Sequence, residues 1–393
     1  MYKNKYPVIL LHGFMGFGEQ DGIDKFWSYW GFRPDINLIQ YLRSENYEVF
    51  APSIGPVGSA WDRACDAYYR IVGGTVDYGK VHSEKYHHAR FGRTYPGILP
   101  DWGQPGRHEK IDLVGHSFGG PTVRVLADLL ADGSEEERAG TDPDDLSPLF
   151  AGGKAGYLHS ITTLAGVNNG TSCASSLGKK GVRVVNTLYL SVASVLGDTP
   201  FADKLIDFHM DQWGIQQDPA KREKAELHLP KVREIHNFNQ NARDSVGYEM
   251  QIEGMYVMNQ ELHAVPNVYY FAVPSCMSDE KGRMERKSSV IAKIGSILTQ
   301  KKRGHDNSLR RFGFDPDTWW PEDGFVNTEG TKAPFTEPSA DLPADVSTVK
   351  PGMWYNWPVQ HLSHVSFMGA DMKKKDYYAW FDVFMNFLNK IPG

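Results

Sequence analysis

Lys110-Ile111-Asp112-Leu113-Val114-Gly115-His116-Ser117-Phe118-Gly119-Gly120-Pro121 is the stretch that decides how this chain folds. Ile111 to Val114 reads as a short apolar strand. Gly115 to Gly119 spells Gly-x-Ser-x-Gly, and Pro121-Thr122-Val123-Arg124-Val125-Leu126-Ala127 behind it reads as a helix. A serine between a strand and a helix is the nucleophile elbow, in which flanking glycines let neighbouring backbone pass without a Cβ clash. Its hydroxyl projects above the sheet edge. The following helix N-terminus carries partial positive charge, which favours a developing oxyanion. Ser117 is therefore the candidate nucleophile; a chance pattern in a glycine-rich chain would lack the flanking strand and helix.

Further strands and helices alternate around this segment. Val8-Ile9-Leu10-Leu11 is a continuous apolar run that suits a strand buried on both faces. Pro34-Asp35 reads as a helix start, with Ile36, Ile39 and Leu42 on one face. Tyr47 to Ala51 is the next strand, and Ser59 can cap a helix carrying Trp61, Ala64, Cys65, Tyr68, Tyr69 and Val72. His159 to Ala165 and Asn267 to Val273 are strands, and Tyr377 to Leu388 is an amphipathic helix. The alternation predicts one α/β domain over 1–393 with a mainly parallel sheet. Two stretches exceed a minimal sheet: 61–106 reads as an inserted subdomain, and 171–245 as a helical cover. Residues 131–148 read as a surface excursion and 328–349 as a loop.

Composition bounds the function. With 393 residues and 41% hydrophobic content, the chain can bury a large core. A net charge of −6 gives no basic face for nucleic acid. No apolar run approaches the roughly 20 residues of a membrane span. Met1 to Pro7 passes straight into the first strand, so no leader peptide is expected in this sequence. Three cysteines, Cys65, Cys173 and Cys276, suggest no disulfide framework. Twenty Phe, nineteen Tyr and ten Trp furnish a large core or an apolar substrate surface.

A serine nucleophile needs a base, an orienting acid and an oxyanion hole, and in this architecture the acid and the histidine follow the serine in chain order. The N–H after the nucleophile belongs to Phe118. The second donor comes from the loop after an early strand, which assigns it to Phe14 in His12-Gly13-Phe14. For the acid, Asp323 sits on a turn before Gly324, with Asp315, Asp317, Asp341 and Asp345 as rivals. For the base, His361 and His364 both fall in Gln360 to Val365, and composition does not choose between them.

A second cluster has metal-ligand character. Asp62 is followed by the stretch from Asp77 to Arg90, which includes His82, Glu84, His87 and His88. Imidazoles six residues apart do not share a helix face, so a loop or helix end must bring them together. Two histidines and two carboxylates that leave no open position would form a structural zinc site.

These residues carry a family resemblance. His12-Gly13-Phe14, Trp61-Asp62-Arg63-Ala64-Cys65, Val72 to Gly79, His88 to Gly97, Leu146 to Phe150, Asp211-Gln212-Trp213-Gly214 and Asp323 to Thr328 resemble the bacterial thermoalkalophilic lipases of Bacillus and Geobacillus type and their staphylococcal relatives. The resemblance implies an α/β-hydrolase fold with a zinc-binding insertion and a lid over 171–213 that opens at an oil–water interface. It implies Ser117 as nucleophile, Asp323 as acid and His364 as base, since Gly369 and Asp371 follow His364 at the family's spacing. It implies a structural zinc held by Asp62, His82, His88 and Asp244, which selects His88 over His87. It also implies a secreted enzyme acting on triacylglycerols and other apolar esters, with no obligate protein partner evident. An apolar cleft would also admit polyester chains, though no residue singles them out.

The sequence departs from the family at three places. Gly115 stands where the thermoalkalophilic branch usually has alanine. Phe118 replaces its glutamine and makes the pocket mouth more apolar. Ser366 stands where an acidic calcium ligand is expected, although Asp371 matches another ligand. Two other classes remain as readings: a zinc hydrolase with Ser117 incidental, and an inactive hydrolase fold used for binding.

Overall fold

A computed structural model describes residues 2–177, 208–214, 243–301 and 307–393. Seven strands form the main sheet in the order β2-β1-β5-β6-β7-β9-β8, and every neighbouring pair is parallel. They are β1 (Val8–Leu11), β2 (Val49–Phe50), β5 (Ile111–His116), β6 (Leu158–Leu164), β7 (Tyr269–Val273), β8 (Ser339–Asp341) and β9 (Trp354–Asn356). A separate antiparallel pair joins β3 (Gly74–Asp77) to β4 (Phe91–Tyr95).

The apolar run of β1 is explained by burial on both faces. Ile9 and Leu11 belong to one core cluster, and Val8 and Leu10 to the other. On the first face lie α2 (Ala60–Val72) and α4 (Gly119–Ala131), which pack against each other. On the second lie α1 (Leu38–Ser44) and α5 (Lys374–Leu388). A strand covered on both sides has no solvated face to make polar, so its pattern is continuous. Register aligns Leu11 with Gly115, Gly115 with Thr163, and Leu164 with Val273. The carboxyl ends of four central strands are therefore level, and that edge is where an open parallel sheet gathers its ligand-binding loops.

Several boundaries differ from the sequence expectation. Helix α1 begins at Leu38, because the Asn37 side chain accepts the Gln40 N–H at 3.0 Å. Pro34-Asp35 lies in a turn closed by the Ile36 N–H on the Arg33 carbonyl. Ser59 caps α2 as expected, accepting the Asp62 N–H at 3.1 Å. The 61–106 stretch opens with α2, whose Ala60, Ala64, Cys65, Ala67 and Ile71 sit in the same core cluster as Ile9 and Leu113. The 328–349 stretch is not only loop: it holds a short helix, Thr328–Thr331, and the exposed edge strand β8. Ser339-Ala340-Asp341 shows no apolar alternation because none of it is buried. Residues 178–207 and 215–242, most of the expected helical cover and with it most of the lid, lie outside the described residues.

Candidate functional site

Ser117 leaves β5 with φ of 57°, in the left-handed region that L-residues with a side chain rarely occupy. The strain is held by three bonds: its N–H donates to the Leu164 carbonyl at 3.1 Å, and its own carbonyl accepts the N–H groups of Gly120 at 3.0 Å and Val167 at 3.1 Å. Gly115 is required here, because a Cβ at that position would run into the Gly119 carbonyl oxygen. The His12-Gly13-Phe14 loop passes just as close. A methyl group on Gly13 would lie 2.6 Å from Ser117 Cβ and 3.0 Å from its Oγ.

His364 opens the short 3₁₀ turn His364–Met368 that follows β9. Its Nε2 lies 2.9 Å from Ser117 Oγ, and its Nδ1 lies 2.9 Å from Asp323 Oδ2. The His364 N–H also donates to the Asp323 carbonyl at 2.9 Å, which fixes both backbones as well as the side chains. Asp323 is fully buried. Its Oδ1 accepts the N–H groups of Phe325 and Val326, and its Oδ2 also accepts the Ser275 hydroxyl at 2.7 Å. His361 stands apart, more than half exposed, with its Nε2 3.1 Å from Lys287 Nζ. Asp315, Asp317, Asp341 and Asp345 are all exposed.

The amides flanking Phe14 are engaged: Gly13 N–H donates to the Tyr29 hydroxyl and Met15 N–H to the Pro56 carbonyl, both at 2.9 Å. Among the described residues the N–H groups of Phe14 and Phe118 have no protein acceptor. Ser117 and His364 open on a cavity of about 400 Å³. Phe14, Phe17, Val167, Met250, Phe325 and Met368 are among its walls, which are overwhelmingly apolar.

The second cluster also assembles. Asp62 comes from the first turn of α2 and His82 from α3 (Lys80–Tyr86). His87 ends α3 with φ of 59°, a left-handed cap that reverses the chain and brings His88 back beside His82. Asp244 completes the group, and the four ligand atoms lie within 4.8 Å of one another. His82 Nε2 is 3.3 Å from Asp62 Oδ1 and 3.4 Å from Asp244 Oδ1; His88 Nε2 is 3.6 Å from Asp244 Oδ2. Such separations span the edges of a tetrahedron with arms of about 2.0–2.2 Å, as zinc takes with nitrogen and oxygen ligands. Asp62 Oδ1, His82 Nε2, His88 Nε2 and Asp244 Oδ2 are all buried without a hydrogen bond, so the donor set fits a cation. His88 Nδ1 lies 2.9 Å from the Ala89 carbonyl, which turns Nε2 toward the cluster. Gln212 supports Asp62 at 3.2 Å, and Trp61 stacks on His82 with ring centroids 4.9 Å apart.

A family model described as "Lipase-like, C-terminal domain" matches residues 4–391. This chain belongs to that lipase-like family. It is 32% identical over 374 residues to a lipase of Staphylococcus epidermidis, covering 94% of this chain and 51% of the relative. The chain thus spans about half the length of the curated relatives it matches. Among solved structures it is similar to Staphylococcus hyicus lipase, with a TM-score of 0.79, 28% identity, and coverage of 98% of this chain and 97% of that one. Lipase 1 from Pelosinus fermentans gives a TM-score of 0.74 at 32% identity, covering 99% of this chain and 100% of that chain. The parallel sheet and its coverage by these neighbours establish the α/β-hydrolase fold.

In this lipase-like chain Asp371 is occupied by its own loop. Its two carboxylate oxygens accept the hydroxyls of Ser363 at 2.5 Å and Ser366 at 2.6 Å. Among the described residues the metal-ligand cluster is the four-residue group above, and Asp371 is not part of it. Sequence reasoning missed Ser275 and Tyr29 and gave His116 no role. Ser275 stands just past the end of β7, where site residues of a parallel sheet collect, and that position was the available signal.

Proposed function

We propose that this chain is a carboxylic ester hydrolase of lipase type, acting on triacylglycerols and other apolar esters outside the cell. The observation that carries the reading is the hydrogen-bonded line from Ser117 through His364 to Asp323 at the edge of an apolar cavity. His364 Nε2 takes the hydroxyl proton as Ser117 Oγ attacks the ester carbonyl carbon. Asp323 holds the imidazole by Nδ1 and stabilises its cationic form. The N–H groups of Phe14 and Phe118 receive the oxyanion of the tetrahedral intermediate. Collapse breaks the ester C–O bond, and His364 passes its proton to the leaving alcohol. A water molecule, deprotonated by His364, then releases the carboxylic acid and restores Ser117.

Asp62, His82, His88 and Asp244 would hold zinc in a structural role. When bound, the ion supplies positive charge that balances two buried carboxylates and cross-links α2 and α3 to the Asp244 segment. Four protein ligands leave no open position for a reacting water.

The reading is tested by a chain-length series of p-nitrophenyl esters on the wild type beside Ser117→Ala, with labelling by a fluorophosphonate. The expected result is labelling at Ser117, and a loss of turnover of at least about 10⁴-fold in the variant. Full turnover by Ser117→Ala would overturn it.

A further inference from the structure

We propose that Arg63 is a positioning residue that sets the distance between the two oxyanion-binding amides, an inference that rests on the ester-hydrolase reading above. Arg63 is completely buried on α2. Among the described residues no carboxylate accepts a hydrogen bond from it. Its three bonds go instead to neutral groups on three separate elements. Nη2 donates to the carbonyl of His12, in the loop that carries Phe14. Nη1 donates to the Gly55 carbonyl at 2.5 Å. Nε donates to the Thr122 hydroxyl at 2.9 Å, and that hydroxyl in turn donates to the Phe118 carbonyl at 3.0 Å. The guanidinium carbon also lies 5.4 Å from the centre of the Phe118 ring.

One planar fork therefore spans the gap between the loop after β1 and the start of α4. Those are the two places that supply the amides of Phe14 and Phe118. Burying a charge with no directly paired carboxylate is costly, even with Asp66 and Glu249 acting on it from further off, and an apolar side chain would fill the same volume without that cost. The guanidinium remains a cation at neutral pH even when buried. Only arginine offers several fixed donor directions at once, whereas a lysine presents a single compact ammonium. Acid–base chemistry at Ser117 and His364 touches none of these bonds. The predicted effect is thus on the stability of the tetrahedral state and not on substrate capture.

The test uses full-length Arg63→Lys and the near-isosteric Thr122→Val. Ile71→Ala on the same helix serves as a control for plain destabilisation. Each protein is measured for kcat and KM on a p-nitrophenyl ester, for inhibition by a trifluoromethyl ketone, for Ser117 labelling and for thermal melting. A trifluoromethyl ketone places an oxyanion in the hole when Ser117 adds to it. The expected result is kcat about 100-fold lower in Arg63→Lys and about tenfold lower in Thr122→Val, with KM within about twofold. Ketone affinity should fall in proportion to kcat, and the pH midpoint of the rate should stay fixed. Ile71→Ala should melt lower with kcat and ketone affinity kept. If both site variants behave like Ile71→Ala, or raise KM alone, the inference is overturned. Should Arg63→Lys fail to fold, Thr122→Val decides by itself. A wild type that neither turns over ester nor accepts the label defeats the hydrolase reading and this inference with it. An active, labelled wild type with indifferent variants defeats only the inference.

Discussion

The hydroxyl of Tyr29 lies 2.7 Å from Nδ1 of His116, and both side chains are buried. The other imidazole nitrogen, Nε2, lies 3.1 Å from the His364 carbonyl, which can only accept. His116 therefore carries its proton on Nε2, and bare Nδ1 accepts the Tyr29 hydroxyl. Tyr29 in turn accepts the Gly13 N–H at 2.9 Å. Burial, and secondly the charge on His364, push His116 well below the usual imidazole range, so it stays neutral. The result is a directed chain from the Phe14 loop to the backbone of His364. Tyr29→Phe leaves two buried polar groups unpaired, at about 1–3 kcal/mol each. We expect melting several degrees lower and kcat roughly tenfold lower with KM held. Unchanged kcat would remove the bridge from the machinery.

Asp323 and Ser275 predict a graded pair of losses. Asn at 323 would present an amide to donors that now meet carboxylate oxygens, and it would favour the wrong His364 tautomer. A fall of about 10⁴ in kcat is expected. Ser275→Ala removes one charge-assisted bond and leaves Asp323 with three donors, so a fall of about tenfold is expected. Steady-state kinetics at saturating ester would show the order; Ser275→Ala as damaged as Asp323→Asn would contradict it.

Metal analysis should find a single zinc ion in wild type and none in Asp62→Ala or His88→Ala. Chelation should lower the melting temperature by roughly 10 °C or more, while turnover well below that temperature persists. Turnover abolished before any loss of fold would give the ion a place in the chemistry.

Asp66 supplies a pH signature. Burial raises its carboxyl to about 7, against opposing bonds from the Gly55 N–H and the Tyr78 hydroxyl. Its folded value thus exceeds the unfolded one, and the native state holds more protons between about pH 4 and 7. The site's contribution to stability falls as pH rises through that window and is constant above it. Relative to Asp66→Asn, wild type should lose roughly a few degrees of melting temperature between pH 4 and 7. A difference that is flat across this range would disprove the assignment.

The elbow was legible because three local signals coincide in a dozen residues: an apolar strand, paired glycines and a helix start. The face-to-face burial of β1 was equally plain, since every residue of Val8 to Leu11 is apolar. Strand β8 was not, because Ser339 to Asp341 pairs only by backbone at an exposed edge. Spacing alone left His361 and His364 open, for the choice depends on which of them folds against residue 117, 247 positions away. The His82–His88 pairing depended on one left-handed residue, His87, whose identity gives no warning of its φ. The roles of Tyr29 and Arg63 belong to networks that join distant segments, and no local pattern announces them.

Gly115 limits what else can stand at the first position of the elbow. A methyl there meets the backbone oxygen of Gly119, and backbone, unlike a long side chain, does not swing aside. Alanine at this position is therefore not a neutral exchange in this chain. A chimaera carrying a side chain at this elbow position would need a shifted start to the following helix as well, since the collision is with backbone.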